Sequence, residues 1–319
     1  MKALSTYQLT NLSTAPVNKS TAIYHNRINQ VIDYVNSRLN QSFSIEELAA
    51  VAHFSPFHFH RIFMAITGET VNAFTNRVRL EKAARLLKFA RKPVAEIAYE
   101  SGFSSPAVFS RAFKQYYGFS ATQYRSGHPI ENSKISKAVM PFHSFLCSTD
   151  EEELTKMFPV EIRQLPARKI AYIRLMNAFG KGLVPVAYEE MIEWALAHQL
   201  FASETIFGMS VDDPMVTPAE QYRYEVCMTI PEQLQPERSG RIEFLTLPAT
   251  RYAITRAVGD IRQVATGFYF LFNHWLINSE YEPEHAGSLE IYRDKSLINR
   301  HDYFDMELCI PIKPIRDLG

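Results

Sequence analysis

The chain has 319 residues, of which 46% are apolar and 13% aromatic, enough for about two packed domains and incompatible with a disordered or fibrous protein. Its 34 basic and 34 acidic residues leave no formal net charge, which argues against a chain that is polybasic throughout. The charge is unevenly divided, however. Residues 21–128 hold 13 Lys and Arg against 7 Asp and Glu, whereas residues 129–319 hold 19 against 27. This division predicts two units with different partners, a polyanion for the first and a cation for the second.

The N-terminal residues 1–20 are rich in Ser, Thr and Asn without periodicity, which predicts a flexible arm and contains no apolar run long enough for a signal peptide. The most apolar later stretch, residues 264–277, is short and interrupted by polar residues. The three cysteines are widely spaced and form no CxxC pair, so neither a disulfide framework nor a cysteine zinc site is predicted. We therefore expect a cytoplasmic protein that does not enter a membrane.

Residues 21–128 follow a helical period throughout. Apolar residues at three-to-four spacing predict a first helix near 28–39, and Ser44 with Glu47 forms a capping box at the start of a second. Ser55-Pro56 starts a third helix, near 56–66, with proline at its first position. Two short helices joined by a tight turn predict a helix-turn-helix unit.

The same unit recurs about 50 residues later in the chain. Ser55-Pro56 and Arg61 are repeated as Ser105-Pro106 and Arg111, and an uninterrupted helical pattern near 70–89 joins the two copies. At 1.5 Å per residue a helix of about 20 residues spans roughly 30 Å. Successive major-groove segments on one side of B-DNA lie about 34 Å apart. The joining helix therefore favours presentation of both units to adjacent groove segments of duplex DNA.

The paired pattern, and especially the segment IAYESGFSSPAVFSRAFKQYYGFSATQYR, resembles the DNA-binding domain of bacterial AraC/XylS-type transcription regulators. The resemblance covers residues 24–127 and includes both helix-turn-helix units, the joining helix and the GFSS turn. One departure is His53, which stands where the second copy has Gly102. The first turn is therefore expected to hold a non-glycine residue at a tight position.

The outward side chains of the two recognition helices are the candidate DNA contacts. Arg61 and His60 have the reach and the donors for base edges, and the resemblance implies base-facing positions for both; a solvated helix surface is the alternative. The second helix has fewer hydrogen-bonding groups, so we expect it to use thymine methyl contacts and DNA shape. Serines at the helix N-termini, with Lys114 and Arg79, are either phosphate contacts or simple caps and solvated charges. The candidate DNA-contacting residues are Phe57, His58, His60, Arg61, Val108, Ser110, Arg111, Ser55, Ser105 and Lys114.

The histidines of the first unit do not predict a metal site. His58 and His60 are two positions apart on a helix and cannot converge on one ion as an i, i+4 pair can. Phosphate-binding loops and common hydrolase motifs do not occur in the sequence. We therefore predict no metal, no cofactor and no enzymatic activity.

A linker is predicted at residues 129–157, which show no sustained period. Beyond it, sliding residues 158–230 over 240–312 at a constant offset of 82 aligns a series of identical residues without a gap, among them Glu225 with Glu307. Each copy predicts strand, Leu-Pro-Ala turn, strand, helix, strand and strand, with helices near 185–200 and 260–279. The predicted fold is multidomain: an all-α double helix-turn-helix domain at 21–128, then an α+β domain at 158–314 of two duplicated units related by a pseudo-twofold axis.

This second half resembles the GyrI-like effector-binding domain, which commonly follows AraC-type DNA-binding domains. The motifs that carry the resemblance are the paired Leu-Pro-Ala strands, GMSVDDP at 208–214 and LEIYRD at 289–294. The resemblance implies that the domain binds a small, often cationic or aromatic, compound in a cleft between the two copies.

Glu290 is the candidate that carries the chemistry of this second domain. Strand alternation places it on one face with Tyr292, and at the offset of 82 it corresponds to Gly208, so one copy has a carboxylate where the other has an open space. A partly buried carboxylate beside aromatic rings suits an organic cation, and the resemblance supports that role; a surface carboxylate is the alternative. The candidate aromatic wall, for which core packing is the alternative, consists of Tyr292, Trp275, Tyr252 and Phe268.

Both resemblances imply a one-component bacterial transcription regulator. Its expected partners are double-stranded promoter or operator DNA, a small-molecule effector and RNA polymerase. Two other functions stay open for the second domain. One is a small-molecule hydrolase with Glu290 as general base, and the other is a protein-interaction module with a vestigial pocket.

Overall fold

The computed structural model describes residues 19–90, 92–127, 151–176, 178, 182–212, 217–218, 221–234, 240–298, 300 and 302–315. Residues 19 and 20 of the predicted arm belong to the first helix. The rest of that arm, and residues 129–150 of the predicted linker, lie outside the described residues.

The first domain consists of helices, as its period predicts. Those described are α1 (Lys19–Asn36), α2 (Ile45–Val51), α3 (Pro56–Thr67), α4 (Val71–Phe89), α5 (Val94–Glu100), α6 (Pro106–Tyr117) and α7 (Ala121–Arg125). The prediction for α4 is confirmed almost to the residue. The Thr70 hydroxyl accepts the Ala73 N–H at 3.2 Å and caps the start of this helix. The prediction for α1 is displaced, since the helix starts nine residues earlier and ends at Asn36.

Two small apolar cores lie side by side in this domain and share α4. Phe59 and Phe63 of α3 pack with Phe74 in the first core, while Phe109 and Phe113 of α6 pack in the second. The first half of α4 contributes to one core and its second half to the other. The 19 residues of α4, about 28 Å long, therefore hold the two helix-turn-helix units at a fixed separation.

The turns of the two helix-turn-helix units have different residues at the same position, where the backbone is left-handed. Gly102 has φ +90°, and a Cβ there would overlap the Leu39 carbonyl oxygen. His53 takes φ +53° at the equivalent position, where its side chain is exposed. The expectation of a non-glycine residue at a tight position is confirmed. A left-handed conformation costs a side chain about 1–2 kcal/mol, which the surrounding helices must offset.

The second domain starts earlier than predicted. A helix, α8 (Glu151–Met157), occupies the end of the predicted linker, and its Leu154 is buried in the core of the second domain together with Phe158. The remaining elements are β1 (Glu161–Leu165), β2 (Arg168–Met176), α9 (Leu183–Ala197), β3 (Ile206–Ser210), β4 (Arg223–Thr229), β5 (Glu243–Leu247), β6 (Thr250–Gly259), α10 (Ile261–Phe270) with a π-helical turn (Leu271–Trp275), β7 (Tyr281–Pro283), β8 (Ser288–Tyr292) and β9 (Phe304–Pro314).

The strands form one antiparallel sheet in the order β1-β6-β9-β8-β3-β4-β2-β5, with β7 beside β9. The edge strands are exchanged between the two halves of the domain. β1 of the first half pairs with β6 of the second, and β5 of the second half pairs with β2 of the first. The described strands β1 and β5, and likewise β3 and β8, begin 82 residues apart (161 and 243, 206 and 288). The central pair, β3 with β8, sets Gly208 directly opposite Glu290.

The sheet has two differently covered faces. Ala171, Val226 and Leu308 lie on one face, in a core shared with α9 and α10. Tyr172, Cys227 and Cys309 lie on the other, in a separate cluster. Because side chains alternate along a strand, neighbouring residues of β4 serve opposite faces.

Helix α1 docks on the second of these faces through buried polar contacts. The guanidinium of Arg174 bridges the domains, donating to Glu225 at 2.6 Å and to Asp33 of α1 at 2.6 Å. Asn29 of α1 donates to Glu243 at 2.8 Å. Buried ion pairs are costly to form but are strongly destabilising when one partner is removed, so they favour one relative placement of the two domains.

Helix α4 contributes a second ionic cluster to the same interface. Asp212, just after β3, accepts from the backbone and side chain of Arg223 at 2.7 and 2.9 Å. Arg77 of α4 lies 3.7 Å from Asp212 and pairs with Glu81 at 3.0 Å and with Glu69 at 2.7 Å. The first four of these side chains are at most 4% exposed. The interface therefore holds two arginines among three carboxylates.

The buried carboxyl of Glu81 should make the stability of the protein depend on pH. Burial is the largest influence on its carboxyl and, with the negative charge of Asp212, raises its pKa from 4.5 to about 7, although Arg77 and Arg223 oppose the shift. Since the folded state then binds the proton more tightly than the unfolded chain, the free energy of unfolding should fall as the pH rises from about 4.5 to about 7. The change amounts to about 3 kcal/mol at most. Urea unfolding near pH 5 and pH 7.5 would measure it, and Glu81→Gln should flatten the dependence; an equal slope in both proteins would contradict this assignment.

Candidate functional site

The first recognition helix presents its outward residues to solvent. In α3, Phe57 is 69% exposed, His58, His60 and Arg61 are exposed, and the Arg61 guanidinium lies 5.8 Å from the Phe57 ring centre. Phe59 and Phe63 fix this orientation because both are fully buried on the opposite side of the helix. The surface combines donors that reach a base edge with an aromatic ring that can contact a thymine methyl group.

The second recognition helix, α6, repeats this arrangement. Val108, Ser110, Arg111 and Lys114 are exposed while Phe109 and Phe113 are buried. Its outward face carries fewer hydrogen-bonding groups than that of α3, in keeping with an interface that uses apolar contact and DNA shape.

The serines at the helix starts act as caps. The Ser105 hydroxyl accepts the Val108 N–H at 3.3 Å, and Ser55 makes a long contact of 3.5 Å to the His58 N–H. Each start is a helix N-terminus, where an anion is favoured, although the proline at the first helical position carries no N–H. Arg79 differs from the other expected phosphate contacts, because its half-buried guanidinium donates to the backbone carbonyls of Leu39 and Gln41 and ties α4 to the α1–α2 connection.

Glu290 lies in a cluster of three tyrosines on the helix-covered face of the second domain. The Tyr224 hydroxyl donates to its Oε2 at 2.7 Å, and the Tyr188 hydroxyl of α9 lies 3.4 Å from that of Tyr224. The Tyr292 ring meets the Tyr188 ring edge-on at 5.5 Å. We call these four residues the Glu290 cluster. It joins one carboxylate, itself partly exposed, to three largely buried aromatic rings.

Gly208 makes the approach of Tyr224 to Glu290 possible. A Cβ at this position would overlap the Tyr224 hydroxyl and lie 2.5 Å from its Cζ and 2.9 Å from the Tyr188 hydroxyl. Any side chain at Gly208 must therefore displace Tyr224. The open space that the sequence offset predicts opposite Glu290 is thus occupied by a tyrosine hydroxyl from the neighbouring strand.

The electrostatics of the Glu290 cluster keep its tyrosines neutral. Burial raises the pKa of Tyr188, Tyr224 and Tyr292, and the negative charge of Glu290 raises the pKa of each further. Neutral phenols donate hydrogen bonds to the carboxylate and present electron-rich faces to an adjacent cation.

Of the other aromatic candidates, Phe268 lies in the same apolar core as the three tyrosines and Trp275 packs against that core, whereas Tyr252 does neither. Tyr252 is on the opposite face of the sheet, in the cluster with Tyr172 and Cys309, so it cannot line the same cleft. Trp275 stacks on Tyr281 at 6.1 Å, and Phe268 stacks on Phe272 at 6.5 Å. Tyr188 and Tyr224 are not among the candidates predicted from the sequence. Alternation in β4 could have revealed Tyr224, because it is two residues from Val226, the partner of Gly208 across the strands.

Two domain families match the chain over these two sites. Residues 48–127 match a helix-turn-helix domain, and residues 158–313 match the GyrI-like small molecule binding domain. The chain joins an AraC-type helix-turn-helix domain to a GyrI-like domain. The Arg61 and Arg111 surfaces belong to the AraC-type domain, and the Glu290 cluster belongs to the GyrI-like domain.

Several known proteins are similar in sequence to parts of this chain. LumQ of Photobacterium leiognathi, a probable transcriptional regulator, is 35% identical over 101 residues, which are 31% of this chain and 41% of that protein. An uncharacterized HTH-type transcriptional regulator of Staphylococcus aureus strain MRSA252 is 28% identical over 174 residues, which are 54% of this chain and 21% of that protein. The solved DNA-binding domain of AdpA, in complex with a target DNA, is 31% identical with a TM-score of 0.31, over 31% of this chain and 90% of that one. The match spans less than half the length of LumQ and of the Staphylococcus aureus regulator.

Two kinds of feature are absent from the residues that the structure describes. No helix there is both long and apolar enough to cross a bilayer. Nor does that part of the chain bring together three or more His, Cys, Asp or Glu side chains that could hold a metal ion.

Proposed function

We propose that the protein is a transcription regulator that binds duplex DNA through α3 and α6 and an organic cation at the Glu290 cluster. One observation carries the proposal: a single chain joins two outward-facing recognition helices to a partly exposed carboxylate surrounded by tyrosines. In such a regulator the occupied GyrI-like domain would change how the DNA complex engages RNA polymerase, in the cytoplasm where the chromosome lies.

The DNA half of the proposal rests on the shape and charge of the helical domain. Both arginines at equivalent positions, Arg61 and Arg111, are exposed, and α4, which joins their two units, is about 28 Å long, comparable with the spacing of about 34 Å between successive major-groove segments. The excess of basic over acidic residues in 21–128 supplies long-range attraction to phosphates. This half would bind as a monomer to two neighbouring groove segments.

The effector half rests on the chemistry of the Glu290 cluster. Tyr224 already satisfies one oxygen of the carboxylate, so an arriving cation meets a held, oriented negative charge. The rings of Tyr188 and Tyr292 would each add about 0.5–2 kcal/mol to the attraction of a positively charged group. Anions are disfavoured by the same charge, which makes the cluster selective for cations.

We also infer that the GyrI-like domain arose by duplication. The described strands β1 and β5, and β3 and β8, share the offset of 82, and the edge strands β1 and β5 are exchanged between halves. Duplication explains why the cluster lies at the central β3–β8 pair, where the two halves meet. It also explains why the site is asymmetric, since only one half carries the carboxylate.

The DNA proposal is tested by selecting binding sites from a pool of random duplexes with the full chain. We expect enrichment of a site with two groups of specified bases about one helical turn apart, and an affinity that falls steeply with salt. Recovery of no enriched sequence, or a flat dependence of affinity on salt, would overturn the assignment.

Glu290→Gln tests the effector proposal. Because the amide keeps the shape and the Tyr224 hydrogen bond but removes the charge, we expect the Kd for tetraphenylphosphonium to rise about 10- to 100-fold. Calorimetric titration of the full chain would measure this. Glu307→Gln is the matched control, since Glu307 lies one strand away on the opposite face, paired with Arg163 and Arg293. Equal binding by wild type and Glu290→Gln, or equal loss in both variants, would contradict a charge contact at Glu290.

A further inference from the structure

Residues 221–224 touch three functional parts of the molecule within four consecutive positions. Gln221 accepts a hydrogen bond from the Tyr116 hydroxyl of α6 at 3.0 Å. Arg223 enters the ionic cluster at α4, and Tyr224 donates to Glu290. We call these residues the 221–224 segment. It links the second recognition helix, the helix shared by both units and the candidate cation site.

In the helical domain, a series of side-chain contacts runs from Arg223 to the first recognition helix. Its guanidinium lies 5.0 Å from the centre of the Phe74 ring of α4, and Phe74 meets Phe63 of α3 at 5.6 Å. Phe63 in turn meets Phe59 at 5.7 Å, and these two rings set the outward direction of Arg61. All three phenylalanines are fully buried, so a shift of Arg223 cannot be absorbed by empty space.

On the side of the GyrI-like domain, Tyr224 has little freedom. Its hydroxyl lies over Gly208, next to the hydroxyl of Tyr188, and is held by Glu290. A cation that pairs with the other oxygen of Glu290 partly neutralises the charge that attracts this hydroxyl, and so weakens the hydrogen bond that holds Tyr224 over Gly208. Because Arg223 and Tyr224 are adjacent residues on opposite faces of β4, a displacement of Tyr224 acts on Arg223 through one peptide unit.

We propose that the 221–224 segment couples the Glu290 cluster to both recognition helices, so that a cation bound at Glu290 changes the placement of α3 and α6. The biological role of this coupling rests on the proposed function, whereas the contacts that would transmit it do not. By linkage, the same contacts make DNA binding change the affinity for the cation by an equal factor. Arg77, which lies against Asp212 and within 5.3 Å of the Phe74 ring centre, belongs to the same contact.

The first test uses the full chain without DNA or cation. Gly208→Ala displaces Tyr224, so it should accelerate amide hydrogen exchange in α3 and α6 by about fivefold or more. Gly267→Ala is the matched control, because it adds the same methyl group on the same side of the sheet, 2.6 Å from Leu308 Cδ1, away from the 221–224 segment. If Gly208→Ala does not fold, Tyr224→Phe removes only the hydroxyl and should give a smaller change in the same amides.

The second test is a double-mutant cycle on the affinity for the selected duplex. Gly208→Ala should change the Kd about fivefold in the wild-type chain, and less than about twofold when Phe74→Leu and Tyr116→Phe are also present. Tyr303→Phe, a partly exposed tyrosine of the GyrI-like domain, is the control background in which the full effect should persist.

The outcomes separate this inference from the proposed function. Accelerated exchange in α3 and α6 only in Gly208→Ala, with a non-additive cycle, supports the coupling even if tetraphenylphosphonium does not bind. If exchange increases in β3 and β4 but is unchanged in α3 and α6, or the cycle is additive, the coupling is overturned whether or not the chain binds DNA and cations.

Discussion

Arg61→Ala is expected to reduce the affinity of the full chain for its selected duplex by about 5- to 150-fold, because a bidentate arginine contact to a base contributes about 1–3 kcal/mol. The reason lies in the packing of α3. Phe59 and Phe63 are completely buried, so the helix cannot rotate to replace Arg61 with another side chain. Fluorescence anisotropy on the selected duplex and on a scrambled duplex would measure the loss.

The comparison with Lys114→Ala separates reading of bases from attraction to phosphates. Lys114 is exposed on α6, and its loss should weaken binding to the selected and scrambled duplexes equally, with the salt slope reduced by about 1. Arg61→Ala should instead weaken binding to the selected duplex far more than to the scrambled one. Equal losses on both duplexes in the Arg61 variant would remove it from the base-reading surface.

Asp212→Ala should lower the free energy of unfolding by about 3–5 kcal/mol, the usual cost of removing one partner of a buried ion pair. Asp212 is 4% exposed, pairs with Arg223 and lies 3.7 Å from Arg77. Arg223 and Arg77 hold the pKa of its carboxyl below the ordinary value despite burial. The substitution removes the carboxylate with which the buried Arg223 pairs, while Arg77 keeps Glu69 and Glu81. Denaturant unfolding at neutral pH would measure the difference.

The offset of 82 supplies a matched control for this substitution. Asp294 is identical to Asp212 by sequence alignment of the two halves, yet it is exposed and caps a single turn through the Ser296 N–H at 2.8 Å. Asp294→Ala should cost about 1 kcal/mol or less, as loss of a cap does. If the two substitutions cost the same, the ionic cluster does not stabilise the interface.

Local sequence signals were sufficient for the helical domain. Ser55-Pro56 and Thr70 mark the starts of α3 and α4 correctly, since capping depends only on residues within one turn. The tight turn at His53 followed from comparison with Gly102. The linker prediction was wrong at α8, because the acidic run belongs to a helix, and its buried Leu154 packs in a core formed by residues that are distant in the sequence.

Strand alternation likewise predicted that Glu290 and Tyr292 share a face, because the period of two is a property of the strand itself. It could not identify which aromatic residues meet Glu290. Tyr252 was a reasonable choice by composition, but register places it on the other face of the sheet. Tyr188 and Tyr224 come from a helix and a strand more than 60 residues before Glu290, and only the sheet order brings them together.

The sequence by itself determined the two helix-turn-helix units, the outward direction of Arg61 and Arg111, and the carboxylate of the second domain, because each depends on caps, periodicity or alternation over a few residues. Only the tertiary structure decided that Tyr224 holds Glu290 and that Arg223, its neighbour, lies against Phe74 of α4. Those contacts join residues 66 and 149 positions apart. They arise from the docking of a helical domain on a sheet, which local periodicity does not specify.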